Sequence, residues 1–311
     1  MSNRTPLILA GTIALVAAAL AAPLFASITI TYLLIDFFIM ALFAASYNVV
    51  FGMTGLLSFC HATFYGAGAY AVAMSASLFG VPPLMGLLLA PVLSAILAAA
   101  IGWIAVRISG IQFAMLTLAL GQLVYTIVVR QYRLTGGDDG LPIATSAWLT
   151  SPVSLYYLAL CICAACLWLL WRVLHSPFGA VLAAIRQNGQ RALFLGINVQ
   201  LHQLGAFVLA GAIAGIAGGL RGIEQQAAYP TLLAWTQSAE PLLMTLVGGL
   251  TTFFGPIIGA GLFVVLNFFG TKGFEYPLLV FGLIILLIVL VLPGGIASLF
   301  SRRRARGSSG T

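Results

Sequence analysis

Charge is what this sequence has least of. Asp, Glu, Lys and Arg make up 6% of the 311 residues, whereas a soluble domain carries roughly a quarter. Six residues are acidic, three are histidine, and Lys272 is the one lysine. So few charges cannot cover a water-soluble fold of this length. They also leave little for catalysis, and no catalytic constellation stands out. Lys272 follows Thr271 and not the Gly of a phosphate-cradling loop, so a Walker A sequence is missing. Nucleotide hydrolysis would have to come from another subunit. Cysteine is scarce as well. Cys161, Cys163 and Cys166 sit in an apolar run with no histidine beside them, which reads as packing and not as a metal site.

What the chain has instead is hydrophobicity: 62% of residues, with a mean hydropathy of +1.12. In lipid no water satisfies backbone N–H and C=O, so a spanning chain is helical or a closed barrel. Barrel strands alternate apolar and polar over about ten residues. The runs here extend about twenty without alternation, the length a spanning helix needs. The fold class expected is therefore all-α, a polytopic transmembrane bundle of about 8–10 spans with Gly-interrupted helices. Apolar candidates fall at 7–26, 28–51, 55–79, 82–106, 111–130, 153–174, 204–224, 241–269 and 277–299. They form a single domain over 1–300, followed by a basic, Gly/Ser-rich tail at 301–311. The first segment is read as an uncleaved span and not as a signal peptide.

Lysine and arginine stay cytoplasmic when loops are short. Arg302, Arg303, Arg304 and Arg306 put the C-terminus inside. Arg172, Arg186 and Arg191 put the 175–203 loop there too, and Arg4 adds the N-terminus. Arg107 then falls inside and 131–152, with Asp138 and Asp139, outside, which leaves Arg130 and Arg133 outside against the trend. Nine crossings cannot leave both ends on one side. The suspect is 241–269, where Gly248, Gly249, Gly255 and Pro256 break helix. A dip-and-return there, or a tenth span in 225–240, satisfies the charges. The net charge of +7 is concentrated in the tail, so it faces cytoplasm and anionic lipid rather than nucleic acid.

Two stretches interrupt the apolar pattern at membrane depth. The first carries Gly55, Ser58, His61, Gly66 and Gly68; the second carries Gly248, Gly249, Gly255 and Pro256. Gly55-Leu-Leu-Ser-Phe faintly echoes Gly249-Leu-Thr-Thr-Phe. Paired Gly-interrupted segments point to a transport pathway, with close helix packing as the alternative. His61 is a functional candidate as an ionisable group within a span, or a hydrogen-bond donor to broken backbone. Asp36 is assigned no function, and Arg221 and Glu224 could pair across one turn. Gly211, Gly215 and Gly219 recur every four residues and mark a tight helix crossing.

The 175–203 loop opens on Ser176-Pro177-Phe178-Gly179 and runs to Gly196-Ile197-Asn198. Pro177 suits the first turn of a helix and Gly196 its end. Val181, Leu182, Ile185, Ala192, Leu193 and Leu195 give one apolar face, suited to a lipid interface or to a partner's groove.

The chain resembles the permease subunits (M type) of bacterial branched-chain amino acid ABC importers. The likeness rests on Gly55-Leu-Leu-Ser58 with His61-Ala-x-Phe64-x-Gly66-x-Gly68-Ala-Tyr70, and on Thr135-Gly136-Gly137-x-x-Gly140-Leu141. It continues through the Ser176 to Asn198 loop and Gly248-Gly249-Leu with Gly255-Pro256-x-x-Gly259-Ala260. Departures are Cys60, where related chains tend to have Gly, and Gln187 to Gln190, where they usually carry a Glu. The resemblance implies a coupling helix with Pro177, Phe178, Gly179, Arg186, Arg191 and Gly196 at a docking site for an ATPase. It implies a second permease as heterodimer partner, two ATPase subunits that use ATP and Mg, and a periplasmic solute-binding protein. This chain would bind no cofactor and perform no catalysis itself. It would move leucine, isoleucine and valine across the bacterial inner membrane by alternating access. Urea or amide transport, or proton-coupled secondary transport, are the alternatives.

Overall fold

The computed structural model describes residues 27–145, 147–250 and 252–273, with 23, 282, 283, 286, 290, 295 and 296. The expected spans at 7–26 and 277–299, the tail, and the cleavage site lie wholly or mostly outside these residues.

Among the described residues five helices are long and apolar enough to cross a membrane: α1 (Ile28–Thr54), α3 (Pro83–Ala105), α4 (Ile111–Arg130), α5 (Pro152–Leu174) and α8 (Val199–Gln225). Between them lie α2 (His61–Phe79), the loop helices α6 (Pro177–Gln187) and α7 (Gly189–Phe194), then α9 (Trp235–Gly248) and α10 (Gly255–Gly273). The only described strands are Leu141–Pro142 and Ala227–Ala228, paired antiparallel. The protein is an all-α, multi-pass membrane bundle.

The burial pattern is the reverse of a water-soluble fold on its outer surface. Leu88, Val92, Ile96, Ile111, Met115 and Leu123 are exposed on α3 and α4, an apolar area that suits lipid or a partner subunit and not water. All five tryptophans stand in two tiers. Trp103, Trp168 and Trp171 lie toward the ends of α3 and α5 next to the α6–α7 loop, and Trp148 and Trp235 lie at the opposite end. Amphipathic rings of this kind gather at the two membrane–water interfaces. Two of them carry an arginine one turn on, Arg107 over Trp103 and Arg172 over Trp168.

The centre of the bundle is α2, buried from His61 to Ala73. It is not among the five strongly apolar helices because it is built of Ala, Gly, Ser and Thr. Small residues let its neighbours close in. A Cβ on Gly68 would strike the carbonyl of Gly215, and one on Gly218 would strike that of Tyr65. The α8 glycine ladder thus packs inside the subunit, against α2 and α3. Ser94 of α3 adds a hydrogen bond to the Phe64 carbonyl at 2.9 Å.

Arg107, Arg186 and Arg191 share one face with the α6–α7 loop; Asp138 and Asp139 lie on the other together with Arg130 and Arg133, which run against the charge trend. On that second face the Ile143 amide donates to Gln226 at 2.8 Å, tying 131–152 to the end of α8.

Candidate functional site

The irregular backbone expected over residues 52–70 is confined to six residues. α1 ends at Thr54, and Gly55 caps it with φ 78°, its amide donating to Phe51 at 3.1 Å. Gly supplies that left-handed turn without a Cβ penalty. Residues 55–60 are non-helical, and α2 begins at His61. Gly66 and Gly68 therefore break nothing: they lie inside regular helix, where Gly66 admits Leu233 and Gly68 admits the Gly215 backbone.

Hydroxyls from two other helices hold the exposed ends of this break. Thr117 of α4 accepts from the Phe59 amide at 3.1 Å, and Ser238 of α9 accepts from the Ala62 amide at 2.9 Å. Both hydroxyls are fully buried, so an unmade bond here would leave an amide in a dry interior. Ser58 contacts Cys60 Sγ at 3.4 Å.

His61 is completely buried, between Phe43 and Tyr47. Ser46 donates its single hydroxyl proton to the Phe43 carbonyl at 2.7 Å, so His61 Nε2, 2.9 Å from the same oxygen, is the donor. The other ring nitrogen, Nδ1, is an acceptor with no partner, as are Asn48 Oδ1 and Thr63 Oγ1. Unsatisfied buried polar atoms are rare in native proteins, and these three, with Tyr47 Oη, sit beside this break.

The second interrupted stretch is two helices, not one span. α9 stops at Gly248, Gly249 takes φ 116°, and α10 starts at Gly255. Pro256 sits in the first turn of α10, where its missing N–H costs nothing. The two helices fold back along each other: Gly259 meets the Met244 carbonyl, and Gly248 meets that of Gly255. Gly295 packs on Gly248 and Gly249, and the Ile296 amide donates to Val247 at 2.9 Å. The two breaks are also neighbours. A Cβ on Gly52 would lie 2.9 Å from the Leu250 carbonyl and would collide with Asn48.

The loop expected to be one amphipathic helix is two, because Asn188 leaves helical geometry (φ −162°, ψ 100°) and caps α7 through the Arg191 amide at 3.0 Å. Gly196, with φ 82°, ends the pair. Pro177 starts α6, and Gly179 packs against the Leu174 backbone. Leu182, Ile185 and Ala192 are buried toward the bundle. Phe178 faces its own chain, stacked on His202 of α8 at 5.9 Å. Arg186 donates to the Gly52 carbonyl at the end of α1, while Arg191 is exposed. The outward apolar group is Leu193, Phe194 and Leu195, at 61%, 88% and 80% exposure. Sequence patterning put Leu193 and Leu195 on one apolar face with Leu182, Ile185 and Ala192; the helix break at Asn188 divides that face and turns the first two outward. A cleft of about 910 Å³ opens beside them, lined by Gly55, Arg107, Asn188, Gln190 and Gln203 among others.

A charged cluster lies on the opposite face. Arg221 bonds Glu224 at 2.6 Å, Tyr65 at 3.0 Å, and Asp36. Sequence spacing finds the Arg221–Glu224 pair; Asp36 is remote in sequence and was missed. Among the described residues no group of three or more His, Cys, Asp or Glu could hold a metal ion, and Cys163 donates to the Phe38 carbonyl at 3.5 Å.

The profile of the family described as "Branched-chain amino acid transport system / permease component" matches residues 29–292. The chain is 28% identical over 277 residues to the high-affinity branched-chain amino acid transport system permease protein LivM of Salmonella typhimurium, and 27% identical to LivM of Escherichia coli. Each alignment covers 80% of this chain and 65% of the relative, just under two thirds of its length. It is also 25% identical to LivH of Salmonella typhimurium, over 82% of this chain and 90% of LivH. No solved structure matches it. The profile covers most of the chain and takes in both helix breaks, the α6–α7 loop and the Gly-laddered α8, so this protein belongs to the family of branched-chain amino acid transport system permease components.

Proposed function

We propose that this chain is one of two permease subunits of an ATP-driven importer in a bacterial inner membrane, carrying leucine, isoleucine, valine or a similar small solute inward by alternating access. A second, different permease completes the pathway. Two ATPase subunits hold ATP and Mg, and a periplasmic protein delivers the solute. The α6–α7 face is cytoplasmic, as are both termini, and the Leu193-Phe194-Leu195 knuckle enters a groove on the ATPase.

The observation that carries this reading is the continuity from loop to break. Arg186 grips the end of α1 at Gly52, Gly52 abuts Leu250 in the second break, and the intervening residues 55–60 reach to α2. A displacement of α6 pulls on α1 and shifts both irregular segments together. Irregular backbone at membrane depth is tolerated where it is buried in protein or lines a water-filled cavity, and the partnerless acceptors on Asn48 and His61 suit a passing solute or water. Ligand specificity in such a scheme comes from different affinities for the states exchanged, and the binding protein supplies most of it.

The test is uptake of labelled leucine into vesicles carrying the chain and its partners. ATP dependence that survives a proton uncoupler is the expected result. Uptake without ATP, abolished by the uncoupler, would favour a secondary transporter.

A further inference from the structure

The charged cluster at the outer end of the bundle is a group of ionised side chains that the pathway described so far does not use. Arg221 is buried, its side chain 12% exposed, and Glu224 matches it; Asp36 is 30% exposed. They come from two helices, α8 and α1, and Tyr65 adds a third, α2. One guanidinium thus bonds two carboxylates, Glu224 of its own helix and Asp36 of α1. A helix-to-helix strap needs one carboxylate per arginine. The second buried acid raises the desolvation cost without joining another helix.

A cavity of about 530 Å³ opens on this cluster between α1, α8 and α10. Asp36, Arg221 and Glu224 line it with the polar Thr29, Tyr32 and Asn267, and Ile28, Leu33 and Val264 supply apolar wall. The lining thus offers charges of both signs beside branched apolar side chains, the two features a zwitterion with a hydrocarbon side chain would use.

We infer that the Asp36–Arg221–Glu224 cavity is an entry subsite for a zwitterionic α-amino acid with an apolar side chain. This deepens the proposed function and rests on it. The ligand's ammonium is held by Glu224 and Asp36. Its carboxylate takes over the guanidinium nitrogen that Asp36 occupies in the empty site, and Asp36 is thereby released to the ammonium. The excess negative charge favours a ligand that brings a cation. An uncharged amide or urea gains no such pairing, so the subsite separates amino acids from those solutes.

The experiment is uptake by the complete importer in proteoliposomes, with the binding protein outside, for L-leucine and for urea. Glu224→Gln keeps shape and hydrogen bonding but removes one charge. It is expected to lower L-leucine uptake at least tenfold in a transporter that still assembles with its partners. The paired exchange Asp36→Arg with Arg221→Asp retains an ion pair between α1 and α8, and it is expected to assemble without restoring uptake. Full L-leucine uptake in either variant would overturn the subsite and leave the cluster as a strap, with the importer reading intact. Wild-type uptake of urea and not of L-leucine would overturn the substrate reading and the subsite together.

Discussion

The guanidinium of Arg186 donates to the backbone carbonyl of Gly52, and so fastens the loop helix α6 to the last turn of α1. The last carbonyls of a helix have no intrahelical donor, and a cation at that end also meets the favourable side of the helix dipole. Gly52 is two residues short of the break and in contact distance of the second one, so the fastening sits where movement in the loop would be passed on.

Replacing Arg186 by Ala removes one charge-assisted hydrogen bond, about 2 kcal/mol, from an exposed residue. The protein is expected to insert and assemble normally, but to hydrolyse ATP with severalfold less solute moved per ATP. Simultaneous measurement of phosphate release and uptake in proteoliposomes gives that ratio; a wild-type ratio would show that the fastening transmits nothing.

Phe194 is 88% exposed, so it contributes almost nothing to the fold of the isolated chain. Phe194→Asp is expected to leave the melting temperature unchanged and to abolish co-purification of the ATPase. Phe178→Ala makes the contrast, since its ring packs on His202 and near Gly205: it should loosen the chain itself. Retention of the ATPase by the Phe194 variant would remove the knuckle from the docking face.

Gly218 lies so close to the Tyr65 carbonyl that a Cβ has no room, whereas nothing surrounds the position a Cβ would take at Gly189. Gly218→Ala is expected to force α2 and α8 apart at a cost of about 1–3 kcal/mol. Gly189→Ala, at the start of α7, should be tolerated. Thermal unfolding of the two variants in detergent decides this, and equal melting temperatures would contradict the crossing.

Ser238→Ala leaves the Ala62 amide buried without an acceptor, which costs about 1–3 kcal/mol. A lower melting temperature is the expected result, with faster amide exchange over 60–64. An unchanged exchange pattern would mean that Ser238 does not hold the second helix start.

Much of this architecture is legible in the sequence because lipid imposes it. Runs such as 82–106 and 111–130 have one structural solution in a bilayer, and α3 and α4 fall within a few residues of them. The Gly211–Gly215–Gly219 spacing announces a close crossing, and the structure supplies its partners in α2 and α3. Gly55 and Gly249 both proved to be helix ends, as breakers of that kind should. Other features depend on contacts distant in sequence. Nothing local shows that Gly66 and Gly68 are packing glycines within a regular helix, because the reason is Leu233 in one case and Gly215 in the other. Asn188 splits the loop helix by capping a second one, and that separates the outward Leu193 from the buried Leu182, Ile185 and Ala192. The supports at Thr117 and Ser238, and the reach of Asp36 to Arg221, join residues that no spacing rule connects.

The central claim is membership of an ATP-driven heteromeric importer, and gentle affinity purification of this chain from native membranes, followed by mass spectrometry, tests it most directly. The account predicts a Walker-motif ATPase and a second, different permease in the purified complex. Recovery of this chain alone or as a homo-oligomer that still transports without ATP would contradict it.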